Sequence, residues 1–219
     1  MTGASAVDLF VSAFATLFVV IDPPGCAPIF ASLTAGASAV HRRAMAIRSV
    51  LTATAVLLFF ALLGEDLLGA LGISMDAFRI AGGLLLFVIA AEMVNEKRTE
   101  RREARAEEVN ADAEARGISP DEEDISVFPM AIPMIAGPGS IASVMLLNAR
   151  AHGLEAHGIV LGAMLAVMAL TLVSLLAAGP LMRLVGAKIE AMVTRVLGVI
   201  LCALAAQFVV DGVKGAFGL

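Results

Sequence analysis

A chain of 219 residues that is 59% hydrophobic and 16% charged, with a mean hydropathy of +0.92, falls outside the balance of an ordinary soluble domain. Its separate apolar runs near or above about 18 residues predict an all-helical, multi-pass membrane protein and give no reason to expect a nucleic-acid partner. The net charge of -5 says little, because most of the charge lies in one segment.

The N-terminus lacks the basic region and small-residue cleavage site of a secretory signal, so the first helix is expected to be retained. The first apolar region, Ala4 to Ala37, is too long for one straight span, since about 20 residues cross about 30 Å of hydrocarbon. It contains "FVVIDPPGCAPIFASLT" (Phe18 to Thr34). Asp22 is expensive in hydrocarbon, and Pro23, Pro24 and Pro28 cannot donate backbone hydrogen bonds. The pattern predicts a helix broken near the middle of the bilayer. Further spans are expected at Ala46–Gly64 and Met75–Val94.

Asn95 to Asp124 is polar throughout, with both signs interspersed. Like charges recur at helical spacing (Lys97, Arg101, Arg105), which predicts a weak, partly disordered helix outside any site. "SPDE" (Ser119 to Glu122) reads as a helix start. The apolar pattern resumes from Ile125 to Asn148 and continues through spans near Gly158–Gly179 and Ile189–Val213. In the fifth span, Gly158, Gly162 and Ala166 recur every four residues, a packing pattern that lets a neighbouring helix approach.

Basic residues cluster after spans one, three and five: Arg42, Arg43 and Arg48, then Lys97 to Arg116, then Arg183 and Lys188. Little basic charge beyond Arg150 follows spans two and four, and Glu65 and Asp66 sit after span two. The positive-inside rule then predicts both termini outside and the linker, residues 96–124, in the cytoplasm.

The two halves repeat. Ile21, Pro24 and Gly25 align with Ile135, Pro138 and Gly139 of "MIAGPGSI" (Met134 to Ile141), and Arg79 and Gly82 align with Arg195 and Gly198 at nearly the same offset. Glu92 meets Gln207 after one residue of slip. Three spans per half make the halves opposite in orientation. The expected fold is two inverted-topology three-helix repeats, residues 1–95 and 125–219, each with a broken first span. After each Pro–Gly a half-helix can start, with Gly25 and Gly139 permitting tight backbone, and its free N–H groups can receive a carboxylate. The expected solute-binding residues are Asp22, Pro24, Gly25, Cys26 and Ala27 from the first break and Gly137, Pro138, Gly139 and Ser140 from the second. Packing kinks are the alternative.

Asp22 has three open roles: ammonium partner, carrier of a coupling proton, or cap of the following half-helix. Glu92 reads as an interfacial carboxylate with a second role in proton or sodium coupling left open. Arg79 and Arg195 are expected to snorkel or to pair with an acid near a span end. Cys26 and Cys202 read as packing residues rather than a disulfide. Ser12, Thr16, Ser140, Ser143, Thr171 and Ser174 either line a cavity or bond their own helix. Asn148, His152 and His157 lack a third ligand nearby, so no metal is expected, and no cofactor. The histidines (His41, His152, His157) fall in predicted loops and there is no HExxH or CxxC, so an enzyme is not expected.

At "DPPGCAPIF" (Asp22 to Phe30) with "SLT" (Ser32 to Thr34), and at "PMAIPMIAGPGSIASVMLL" (Pro129 to Leu147), the chain resembles the MarC family of integral membrane proteins. The likeness covers nearly the whole chain; Cys26 departs from it, where a polar residue such as asparagine would follow the glycine. The family is placed with small transporters of the LysE type, and its better understood members are similar to small neutral amino acid transporters. The resemblance implies a secondary transporter of a small zwitterionic solute in the bacterial cytoplasmic (inner) membrane, with a channel or a non-transporting membrane protein as the alternative. Oligomeric state is left open.

Overall fold

The computed structural model describes residues 6–218, with the helical backbone alone for residues 180–191. Ala4, the expected start of the first span, and the side chains of Arg183 and Lys188 lie outside the described residues. Among the described residues all regular structure is helical. Five helical segments are long and apolar enough to cross a membrane, and a bent pair supplies a sixth candidate.

Helix α1 (Ala6–Ile21) and α2 (Pro23–Leu33) together form the first candidate span of 28 residues. They separate at Asp22, whose φ of 59° is left-handed, a conformation that a short polar side chain tolerates better than most. The break still satisfies the backbone, because Asp22 N–H donates to Phe18 O and Cys26 N–H donates to Asp22 O. Backbone groups in hydrocarbon need such internal partners.

Helix α3 (Ala39–Ala70) starts at a Ser38 cap and runs 32 residues, roughly 48 Å. It continues through Glu65 and Asp66, which are exposed on its last turns rather than in a loop. Helix α4 (Met75–Val94) has the expected bounds, capped by the Ser74 side chain. Glu96, with a φ of 62°, turns the chain into α5 (Lys97–Ala115). The expected partly disordered linker is therefore a 19-residue helix. Ala106 and Ala113 are buried, and Val109 between them packs on the core, so an apolar stripe at i, i+3, i+7 overrides the like-charge repulsion.

Ser119 and Glu122 bond each other as a capping box would, but they close a turn and no helix follows. That turn ties back to the start of α3: Ser38 N–H donates to Asp121 at 2.7 Å and Arg48 pairs with Asp124 at 3.1 Å. His41 faces the Glu123 carbonyl at 2.9 Å from the first turn of α3, and His157 lies in the first turn of α7; only His152 occupies a loop.

The second break is less regular than the first. Ser126–Ile135 is a wide-turned stretch with extended backbone at Phe128 and Ile132, held by Met130 N–H to Ile125 O and Ala136 N–H to Ala131 O. It meets α6 (Pro138–Arg150) at a 55° bend. Helix α7 (Leu154–Leu176) and α8 (Ala178–Phe217) complete the chain. The loop expected between spans five and six is continuous helical backbone, and the apolar candidate span within α8 is Met192–Phe217.

Helices α4 and α8 share the most extensive interface; α1 packs on α7, and α3 packs on the wide-turned stretch and α6. Glycines allow the α4–α8 approach: a Cβ on Gly83 would lie 2.9 Å from Ala205 O, and one on Gly198 3.1 Å from Ala90 O. Gly158 and Gly162, by contrast, face open space among the described residues, so no close helix approach at these two glycines is seen there. Outward faces carry Leu51, Phe59, Leu84, Phe87 and Val199, as lipid contact requires.

Candidate functional site

The Asp22 side chain, 1% exposed, turns back over the start of α2 and accepts the Gly25 N–H at 3.2 Å. Gly25 is not at the bend; a Cβ there would fall 2.2 Å from Asp22 Oδ2. Its role is to admit the capping carboxylate. The carboxylate is also paired: Arg102 Nη1 of α5 lies 3.2 Å from Oδ2, and Arg102 Nη2 reaches the Met134 carbonyl at 3.5 Å. One helical turn earlier, Arg98 Nη2 donates to the Val20 carbonyl at 2.7 Å. Desolvation, with repulsion from Arg102, pushes the Arg98 guanidinium down to about 10, so it stays charged at neutral pH. The linker helix thus sends two arginines into the first break.

At the second break α6 starts with no side-chain cap. Pro138 has no N–H, and Gly139 and Ser140 point their N–H groups out of the first turn, where helix geometry leaves them without an intrahelical acceptor. The Ser140 hydroxyl donates to Ile135 O at 2.8 Å and locks the bend. Gly137 and Gly139 both sit where a side chain would collide: a Cβ would lie 2.5 Å from Pro133 O and 2.6 Å from Ile89 Cδ1 respectively.

This uncapped end opens into a cavity of about 470 Å³ walled by Gly137 to Ser140, by Leu85 to Glu92 of α4, and by α5. Helix α5 contributes Arg98, Arg101, Arg102, Arg105 and Glu108 along one face. Glu92 is paired with Arg101, and Arg105 stacks 5.4 Å above the Phe128 ring. Four guanidinium groups and a free helix N-terminus, against two carboxylates, make the cavity anion-receptive.

The nine expected binding residues therefore divide. Gly137, Pro138, Gly139 and Ser140 line the cavity, as does Glu92. Asp22, Gly25, Cys26 and Ala27 are buried behind it, and Pro24 is half-buried and not in its wall. Cys26 points its thiol to Ile21 O at 3.6 Å and packs, unpaired, as does Cys202. The linker expected to lie apart forms a wall, so its arginines were missed; the Ala106–Val109–Ala113 stripe is the signal that would have found them.

Arg79 pairs with Asp76 at 2.7 Å and Arg195 with Glu96 at 2.5 Å, as expected of span-end arginines. Thr16 and Thr171 bond their own helices, whereas Ser143 is buried with no partner for its hydroxyl. His157 faces the Asn148 side chain at 2.9 Å, and Asn148 donates to Ala61 O. No cluster of metal-ligating side chains occurs among the described residues.

No solved structure matches this chain. It is 36% identical to the UPF0056 membrane protein MJ1677 of Methanocaldococcus jannaschii, over 94% of this chain and 97% of that one. It is 34% identical to the UPF0056 membrane protein YvbG of Bacillus subtilis (96% of each chain) and 33% identical to YhcE of Escherichia coli (93% and 91%). The profile described as MarC family integral membrane protein matches residues 7–217. With its apolar helices, its two breaks at Asp22 and Gly137 and this match, the chain belongs to the MarC family of integral membrane proteins.

Proposed function

We propose that this protein is a secondary transporter of a small zwitterionic solute, a neutral amino acid, whose carboxylate binds at the N-terminus of α6. The carrying observation is that the Gly137–Ser140 turn is uncapped and opens into an arginine-lined cavity. The α2 end is different, since Asp22 already fills it. The ammonium partner is then Glu92, which lines the same cavity with an ion pair to an exposed Arg101, and not Asp22, which is buried behind the cavity against Arg102.

The inverted-repeat reading is supported by packing that crosses the halves: α1 with α7, α3 with α6, α4 with α8. The basic linker and Arg42, Arg43 and Arg48 support a cytoplasmic linker with both termini outside, in the inner membrane of a bacterium. The reading is non-enzymatic, because the cavity offers charge but no nucleophile–base couple.

Flux of labelled L-alanine into liposomes tests the reading. Saturable uptake with counterflow is expected, and Gly139→Leu should lower solute affinity at least tenfold, because its side chain collides with Ile89 in the cavity wall beside the α6 N–H groups. Non-saturating flux would replace the carrier with a channel. Unchanged affinity in Gly139→Leu would remove the α6 N-terminus from the site.

A further inference from the structure

A second cavity, about 280 Å³ and almost wholly apolar, lies between α3, α4 and α6. It is walled by Phe78, Ala81 and Gly82 of α4, by Ile141 and Ala142 of α6, and by Leu67 of α3. Two residues line both cavities: Leu85 and Pro138. Along α4 the shared wall stands at the middle. Val88, Ile89 and Glu92 face the arginine cavity on one side of Leu85, while Ala81 and Phe78 face the apolar cavity on the other. These positions recur at i, i+3, i+4 and i+7, so they form one stripe on one helix. From Phe78 to Glu92 that stripe is roughly 21 Å long, a large part of the hydrocarbon thickness of about 30 Å.

From this we propose that the two cavities are the two halves of one path across the membrane, with the apolar cleft as the access route from the side opposite the linker and Leu85 as its gate. The proposal rests on the transporter reading and names the route through that site. Pro138 belongs to both cavities, so the first turn of α6 stands at the divide itself. A carboxylate held there need not travel; only the wall on either side of it has to move. Leu85 suits that part. It is 37% exposed, so its side chain has space to change rotamer, unlike the neighbouring Leu86 at 0%. The outer half offers no charged side chain, so it favours a solute whose side chain is small and apolar. Gly82 keeps α4 and α6 close beside the gate: a Cβ there would meet Leu146 Cδ1 at 3.0 Å.

The route can be tested without knowing the solute. In the full chain carrying Cys26→Ala and Cys202→Ala, single cysteines are introduced by Ala81→Cys and Ile89→Cys and exposed to a membrane-impermeant thiol reagent from either side of sealed vesicles. Position 89 should react at least tenfold faster from the linker side and position 81 at least tenfold faster from the opposite side. Adding Leu85→Ala should bring reaction at position 81 from the linker side to within about threefold of that from the other. Reaction of both positions from the same side, or no reaction at position 81 from either, would overturn the route. An unchanged labelling pattern with Leu85→Ala would overturn the gate. Labelling as expected in a protein that moves no amino acid would instead sink the transporter reading and leave the path standing.

Discussion

At the scale of single residues, Asp22 and Arg102 form a pair whose members are unequally placed. Asp22 is sealed behind the cavity, whereas Arg102, with its side chain 11% exposed, lines it. Removing the cation strands a carboxylate that water cannot reach, while removing the acid leaves a guanidinium that can hydrate. Arg102→Leu is therefore expected to destabilise on the order of 3–5 kcal/mol. Asp22→Asn keeps the cap to Gly25 N–H and should cost about 1 kcal/mol. Thermal unfolding in detergent checks the order, and equal losses would mean that both groups are solvated. That Asp22 breaks the span was legible, because Pro23 and Pro24 left the backbone no other course. Its partner was not, since nothing local to "DPPG" points to an arginine 80 residues away.

At the scale of elements, the linker is the part that the sequence described least well. Mixed charge at helical spacing suggested a solvated segment, yet three small apolar residues on one face were enough to dock it. Its far end is held to α3 by carboxylates. Hydrogen bonding from Ser126, helped by Arg48, holds Asp124 below the ordinary aspartate value of 3.8, and bonds from Ser38 do the same for Asp121. A depressed value means that the unfolded segment binds protons more readily, so this docking is complete above about 4 and lost as pH falls further. Hydrogen exchange across residues 116–124, corrected for its intrinsic rate, should be constant from about pH 7 to about pH 5 and accelerate only below about 4. Loss of protection already between about pH 7 and about pH 5 would show that the Asp121 and Asp124 bonds do not hold the segment.

At the scale of the whole molecule, the spans and their order were read from hydropathy, and α4 was placed to the residue because Ser74 and Asn95 bound it. The second break was located but its form was not, since Pro129 and Pro133 make Ser126–Ile135 too irregular for a helical pattern to describe. Gly158 and Gly162 of the α7 pattern face open space among the described residues, whereas glycines admit the close crossing of α4 on α8. Gly83→Leu is accordingly expected to cost on the order of 1–3 kcal/mol or more by overpacking against Ala205 and Val209. Gly158→Leu, facing open space, should stay within about 0.5 kcal/mol of the parent. The reverse ranking would show that α7, not α8, carries the tight helix contact, in this chain or between copies of it.

The distance along the chain between Asp22 and Arg102 also sets a schedule for biogenesis. The two are separated by 80 residues, and a ribosome adding about 5–20 residues per second needs roughly 4–16 s to cover that length. Throughout that interval the nascent first span holds a lone acid with the Gly25 amide as its local partner. Three candidate spans are synthesised before the counter-charge exists. The arginines then arrive on a helix too polar to enter lipid by itself. Sealing of the first break is thus a late event in assembly, completed by the linker helix.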